Sequence, residues 1–401
     1  MLKRENAMNS FTWENRTKVY FGENAVAEHL AELIKTYMLP GKNTVLLGYG
    51  GGSVKKNGAY DDVAAAIAAA GMKQVDYGGI MSNPTVDKML EGVEDVKQND
   101  VCLILAVGGG STMDCCKAMA VQAAYDGDAW EDFWMKGLPM ECDPLPCGVV
   151  VTMPATGSEV NPCAVLTNTK THIKCDRGYA KINPLFAVMD PRYTLTMPIR
   201  QLRAGTYDIL SHIMEGYFSF PIEDNATDDV AEGLMHGLVR DFRAAMADPQ
   251  NLHVRASIMW HASLAENNVI KTGKTKDFQV HNMEHQLSAY TDCNHGEGLA
   301  VMHPTYYRHI YKDGLQKFCR FATEVWRLRA EDYDSDEALA LAGIDALEAF
   351  QDEVCLPKTL RDIGITDQSM LKTIADSCFI SQGAFRPMTH EEILEIYKEC
   401  Y

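Results

Sequence analysis

Short apolar runs alternate with amphipathic stretches through the first half of the chain. Thr44–Leu47 is apolar and runs into glycines. Asp61–Ala70 is alanine-rich, helix-like and stopped by Gly71. Val75–Tyr77 opens another short element, and Pro84–Val96 again has helical spacing. Val101–Val107 is a continuous apolar run, the pattern of a strand covered on both faces, and Gly108–Ser111 leads from it into a helical pattern at Thr112–Ala124. Cys147–Met153 and Phe186–Met189 are further strand candidates. Strand, turn and helix repeated in this way predict a parallel sheet with crossover helices.

The texture changes after Pro198. Helical patterns then dominate: Ile199–Phe218, Ala226–Met246, Leu252–Asn268, Asp277–Thr291, Tyr311–Trp326 and Ser335–Val354. The expected division is an α/β domain over residues 1–196 and an all-helical domain over 197–401, with the boundary near Leu195–Arg200. A chain of 401 residues, 46% of them hydrophobic, can bury two such cores, and single cores seldom grow past about 250–300 residues.

Charge and cysteine content narrow the function. Asp and Glu number 55 against 37 Lys and Arg, a formal charge of −18, with no basic block to grip nucleic acid. The twelve cysteines are scattered and lack a C-x-x-C pair, as expected of reduced thiols in a cytoplasmic protein. Met1–Ser10 is polar and does not read as a signal peptide, and Met8 is an alternative start. The longest apolar runs are far shorter than the ~20 residues of a membrane span.

Candidate chemistry begins with the glycines. Gly50, Gly51, Gly52 and Ser53, with Lys55 and Lys56 just beyond, follow a strand candidate. Such a turn lets a nucleotide approach the backbone closely, although an ordinary loop would read the same way. No acidic residue stands there to grip a ribose 2′-hydroxyl, while Ser53 and the lysines could receive a 2′-phosphate, which favours NADPH over NADH. Gly108, Gly109, Gly110 and Ser111 open a helix after the most apolar strand, the context of a pyrophosphate cradle. Thr152, Thr156 and Asn161 lie in a third loop, whose hydroxyls suit either a ligand or helix capping.

Histidines carry the second signal. Asp208 and His212 are four apart in a helical stretch and share a face, as do His281 and His285, with His295 ten residues on. One carboxylate and several imidazoles suit Fe(II) or Zn(II), and spacing leaves open which of the three later histidines coordinate. His236, His253, His261, His303, His309 and His390 lack such partners and read as structural or surface residues.

In order, GGGS, GGGS-x-x-D, T-x-x-A-T-G-S-E, D-x-x-x-H and H-x-x-x-H-x9-H-G resemble the iron-containing (group III) alcohol dehydrogenases, in particular their NADPH-dependent butanol dehydrogenase and aldehyde reductase branch. The resemblance spans Asn15 to the last helices. It implies a Rossmann-like α/β domain, an all-helical domain of the dehydroquinate synthase-like type, and an active site in the cleft between them. It also implies metal ligands at Asp208, His212, His281 and His295, and a proton relay at His285. For the cofactor it implies Gly50–Ser53 and Lys55 at the adenosine end and Gly109, Gly110 and Ser111 at the pyrophosphate. Asp114 would then face the nicotinamide, with Thr152, Thr156, Asn161, Lys174, Tyr193 and Leu195 completing the cleft. The implied reaction moves hydride between NADP(H) and a primary alcohol or aldehyde such as butanol or butanal, in a homodimer. A metal- and nucleotide-dependent lyase on the same scaffold is the alternative. One departure stands out: Glu284 precedes His285 where many relatives have a small residue.

Overall fold

The computed structural model describes residues 8–401, so Met1–Ala7, most of the polar N-terminal stretch, lies outside the described residues. Among the described residues there are eight strands: β1 (Lys18–Phe21), β2 (Thr44–Tyr49), β3 (Lys73–Tyr77), β4 (Val101–Gly108), β5 (Cys147–Val151), β6 (Cys163–Asn168), β7 (Ile173–Gly178) and β8 (Phe186–Met189). Among them run α1 (Ala25–Tyr37), α2 (Ser53–Lys56), α3 (Ala59–Ala69), α4 (Val86–Gln98) and α5 (Gly110–Ala123). The helices that follow are α6 (Ile199–Tyr217), α7 (Ala226–Ala247), α8 (Leu252–Glu266), α9 (Gln279–Thr291), α10 (His295–Ile310), α11 (Leu315–Arg320), α12 (Asp336–Glu353), α13 (Leu371–Ser377) and α14 (His390–Glu399).

The chain divides into two compact units. One comprises Asn15–Pro198 and Gln250–Ser263; the other comprises Ile199–Pro249, Leu264–Tyr401 and the described part of Met1–Glu14. Most of α8, read from sequence as part of the helical half, therefore clusters with the sheet.

In the first unit a six-stranded sheet runs β1-β8-β5-β4-β2-β3, parallel throughout. β4 explains its own unbroken apolar sequence. Ile104 and Ala106 pack into the core on the α4–α5 face, while Leu103, Leu105 and Val107 join α1 and α3 on the other. The chain leaves β2 toward β3 and leaves β4 toward β5, so the order reverses between β2 and β4. Ligands of open α/β sheets bind at such a switch point, beyond the carboxyl ends of the strands. Gly50–Ser53 and Gly109–Ser111 are the two turns that flank it.

Several elements escaped the sequence reading. β1 is a four-residue edge strand, and β6 and β7 form a separate antiparallel hairpin. Tyr311–Trp326 is not one helix: α11 is flanked by a 3-10 turn at Tyr311–Gly314 and a π-helix at Phe321–Val325. α10 had no periodic signature because it is buried on nearly every side and holds Gly296, Gly298 and Pro304.

Leu105 is fully buried in the central strand. Leu105→Ala is expected to cost about 2–5 kcal/mol, through lost burial and the cavity left behind. A thermal melt followed by circular dichroism should show a clear fall in the midpoint; an unchanged midpoint would contradict the packing described.

Candidate functional site

Three helices of the second unit bring the histidines together. α6 presents Asp208, His212 and Glu215, spaced i, i+4 and i+7 on one face, and α9 presents His281, Glu284 and His285. α10 begins at His295, with Asn294 as its cap, accepting from the Glu297 N–H at 3.2 Å. Gly296 allows this arrangement. A Cβ there would lie 2.2 Å from the Ala204 carbonyl oxygen, so only glycine lets α10 start against the backbone of α6.

Asp208 is buried, and its Oδ1 has no hydrogen-bond partner among the described residues. Around that oxygen stand His212 Nδ1 at 3.6 Å, His281 Nε2 at 3.7 Å and His295 Nε2 at 3.6 Å, while His212 Nε2 lies 3.1 Å from His281 Nε2. An ion bound at about 2.1 Å by four tetrahedral donors holds them roughly 3.4 Å apart. The spacing fits such an ion, and a buried carboxylate oxygen without a partner is what an ion would satisfy. The residues present therefore fit a divalent metal. Asp208, His281 and His295 place one donor atom each within 4.8 Å of one another, and so do Glu284, His285 and His295.

Carboxylates stand behind the imidazoles. Glu215, fully buried, accepts from His281 Nδ1, and its other oxygen accepts the Val280 N–H at 2.8 Å at the start of α9. Glu284, also fully buried, accepts from His295 Nδ1. The field is strongly negative. Burial alone would raise the Asp208 carboxyl, yet the facing His212, His295 and His281 hold it well below the carboxylate range. Burial alone would lower His281, yet Glu215 and Asp208 push it up to about 10. His285 is buried beside this group, its ring 5.7 Å from that of His295 and 6.2 Å from that of His281.

Sequence reasoning missed Glu215, although it continues the stripe of Asp208 and His212 by three residues. His303 was read as a structural or surface residue, and its surroundings fit the first of these. His303 is fully buried, 3.2 Å from Ser211 Oγ, with Nδ1 on the Leu299 carbonyl at 2.8 Å.

The other expected residues lie in the sheet unit. The N-cap of α5 is Gly109, which has no side chain to cap the helix, so the first amides are left for an anion. A Cβ on Gly110 would meet Thr156 at 2.4 Å, so the turn is closed tightly under its neighbouring loop. Thr156 Oγ1 accepts the Ser158 N–H at 3.2 Å, and Asn161 donates to the Thr156 carbonyl at 3.3 Å. Asn161 also accepts from the buried Lys117 ammonium at 3.2 Å. Asp114 is buried and accepts from Ser158 Oγ at 2.6 Å and the Val165 N–H at 3.1 Å. Burial raises the Asp114 carboxyl against the pull of Lys117 and these donors. Its carboxylate thus braces the third loop and β6.

Thr152 is buried, its N–H bonded to the Gly108 carbonyl at 2.9 Å, and Lys174 is buried on β7. Tyr193 is buried with its hydroxyl on Asp62 at 2.7 Å; Leu195 is half-buried, its carbonyl taken by Gln250 at 3.1 Å. At the first turn Gly51, Gly52 and Ser53 are exposed, and Lys55 Nζ lies over the Tyr60 and Tyr49 rings at 4.6 and 5.3 Å. The nearby carboxylate, Asp76, is engaged by Tyr60 OH and Gln74 Nε2, both at 2.6 Å.

Comparison with known proteins agrees with this chemistry. The family described as iron-containing alcohol dehydrogenase matches residues 16–191, and its C-terminal domain, described as Fe-containing alcohol dehydrogenase family, C-terminal, matches residues 203–401. The chain is 35% identical to NADH-dependent butanol dehydrogenase A of Clostridium acetobutylicum, covering 98% of this chain and 100% of that one. It is 34% identical to the NADPH-dependent aldehyde reductase YqhD of Escherichia coli, over 98% of this chain and 99% of that one. The crystal structure of NADH-dependent butanol dehydrogenase A from Thermotoga maritima superposes with a TM-score of 0.91 at 32% identity, over 98% of this chain and 99% of that one.

Substituting Gly296 by alanine is expected to push the start of α10 off α6 and carry His295 away from Asp208. Metal analysis of the purified variant should find most of the ion gone. Full metal content would show that the close approach at Ala204 is dispensable.

Proposed function

We propose that this chain, which belongs to the iron-containing alcohol dehydrogenase family, works in the cytoplasm as an NADPH-linked aldehyde reductase on short primary aldehydes such as butanal. The observation that carries the reading is the buried, partnerless Asp208 oxygen ringed by three imidazoles.

Asp208, His212, His281 and His295 would hold Fe(II) or Zn(II), which supplies Lewis-acid polarisation of a carbonyl oxygen. The reduced nicotinamide supplies the hydride. The chain's own groups fix the rest. Glu215 orients His281, and His285 hands a proton to the substrate oxygen as the alcohol forms. The uncapped start of α5 receives the pyrophosphate, and Gly50–Ser53 the adenosine end. Residues 1–196 form the dinucleotide-binding domain in this proposal and residues 197–401 the metal-binding one. Asp114 has the role of bracing the cradle, since both of its oxygens already accept hydrogen bonds there.

NADPH is favoured over NADH because Ser53 and Lys55 are exposed at a turn without a free carboxylate. Asp76 is already engaged by its neighbours. A cytoplasmic setting is supported by twelve free cysteines, and among the described residues no helix is long and apolar enough to cross a membrane. Reduction is the expected direction because NADP(H) in that compartment is kept reduced.

The test is coenzyme oxidation by anaerobically prepared protein reloaded with Fe(II) or Zn(II). Butanal should drive metal-dependent NADPH consumption that Asp208→Ala and His281→Ala abolish. Lys55→Ala should raise KM for NADPH several-fold and leave KM for NADH nearly unchanged, as loss of one charge-assisted phosphate contact implies. Binding of metal and nucleotide without net oxidation of NADPH, across a panel of aldehydes, would turn the assignment to a lyase.

We also propose a homodimer. β1 is an edge strand, and Phe21 at its end lies against Trp260, both about 40% exposed, at 42% and 41%. A strand edge beside exposed aromatics is a surface that pairing would cover. Light scattering should give twice the chain mass of 44.5 kDa, and Phe21→Lys should shift it toward monomer. A monomeric wild type would refute the assembly.

A further inference from the structure

We propose that Glu284 is a positioning residue that fixes His295 as a metal ligand, an inference that rests on the metal site proposed above. Glu284 lies on α9 one turn beyond His281 and is fully buried. Its Oε2 accepts from His295 Nδ1, which leaves Nε2 of that ring 3.6 Å from Asp208 Oδ1. Its Oε1 accepts from Ser288 Oγ and lies 3.9 Å from Cys293 Sγ. Space for the side chain comes from Gly298, where a Cβ would approach Glu284 Cγ to 3.0 Å.

His295 needs such a brace more than the other ligands do. Its side chain is 24% exposed, against 9% for His212 and 7% for His281. It also stands at the first residue of a helix, where the chain has just left a loop. A carboxylate on Nδ1 keeps the proton on that nitrogen, the lone pair on Nε2 and the ring in one orientation. Glu215 does the same for His281, so two of the three imidazoles carry a carboxylate behind them.

Glu284 also stands with His285 and His295 in the second group of potential donors. Its engagement with the His295 N–H favours the brace over a role as ligand to a second ion.

The experiment compares wild type, Glu284→Gln and Glu284→Ala, each stripped of metal and reloaded anaerobically. Stoichiometry and dissociation constant are measured by chelator competition with Zn(II). The d–d spectrum is recorded with Co(II), and the melting midpoint is taken on the stripped proteins. Wild type should bind one ion per chain. Alanine should weaken binding by about 10–100-fold and shift the Co(II) spectrum. Glutamine, whose carbonyl oxygen can still accept from Nδ1, should fall between them.

A role in folding alone would lower the stripped midpoint and leave affinity and spectrum untouched, which overturns the proposal. If the alanine variant fails to fold, Glu284→Met, which fills the space without an oxygen acceptor, takes its place, and wild-type affinity and spectrum in that variant overturn the proposal too. Two ions in wild type, one of them lost with alanine, would make Glu284 a ligand instead. A wild type that binds no ion refutes the metal site itself, a result distinct from all of these.

Discussion

Negative charge buried without a matching cation is the constraint on which the helical unit is built. Asp208, Glu215 and Glu284 all lie beneath the surface, and each faces imidazoles where a lysine or arginine would neutralise it. Elsewhere in the same unit other buried acids do have such partners, among them Glu266, which Lys271 faces, and Asp228, which both Lys274 and Lys317 face. Placing ionised groups in a low-dielectric interior costs several kcal/mol each unless charge and hydrogen bonds compensate. A fold that keeps three acids around three imidazoles has left room for a cation, and the rise of His281 to about 10 is the same field acting on a proton. The rest of the local structure serves that arrangement. α6 carries the stripe of donors, Glu215 caps α9 and holds its first histidine, and Gly296 lets α10 begin where His295 can reach.

The sheet unit solves a different electrostatic problem with different means. A pyrophosphate needs donors without a large buried charge, and backbone amides at a helix start provide them. Side chains there mostly hold one another. Asp114, Ser158, Asn161 and Lys117 form a hydrogen-bonded scaffold that fixes the third loop beside the glycine turn. The proposed metal site thus depends on individual side chains, and the proposed dinucleotide site on the path of the backbone.

That difference explains what could be seen in the sequence. Glycine after a buried strand is a local signal, as are two donors four residues apart on a helix, so both turns and the pairs Asp208–His212 and His281–His285 stood out. The residues that partner the proposed ligands did not. Glu215 meets His281 across 66 residues and reads alone as one more helical glutamate. His303 looked isolated because Ser211, its neighbour in space, lies 92 residues away. β1 is too short to show a period, and α10 too evenly buried. Glu284 was conspicuous only against an expected family pattern; its hydrogen bond to His295 is what gives it a proposed role.

Sulfur stands outside the proposed donor set. Cys293 is buried two residues before His295, and a thiolate binds Zn(II) or Cu(I) more readily than a carboxylate does. Its Sγ is turned instead toward Ser288 Oγ at 3.6 Å and Glu284 Oε1 at 3.9 Å. Glu284 therefore faces one imidazole with one oxygen and one sulfur with the other. The proposed donor set, one carboxylate oxygen and three imidazole nitrogens, is of the kind that Fe(II) accepts as readily as Zn(II).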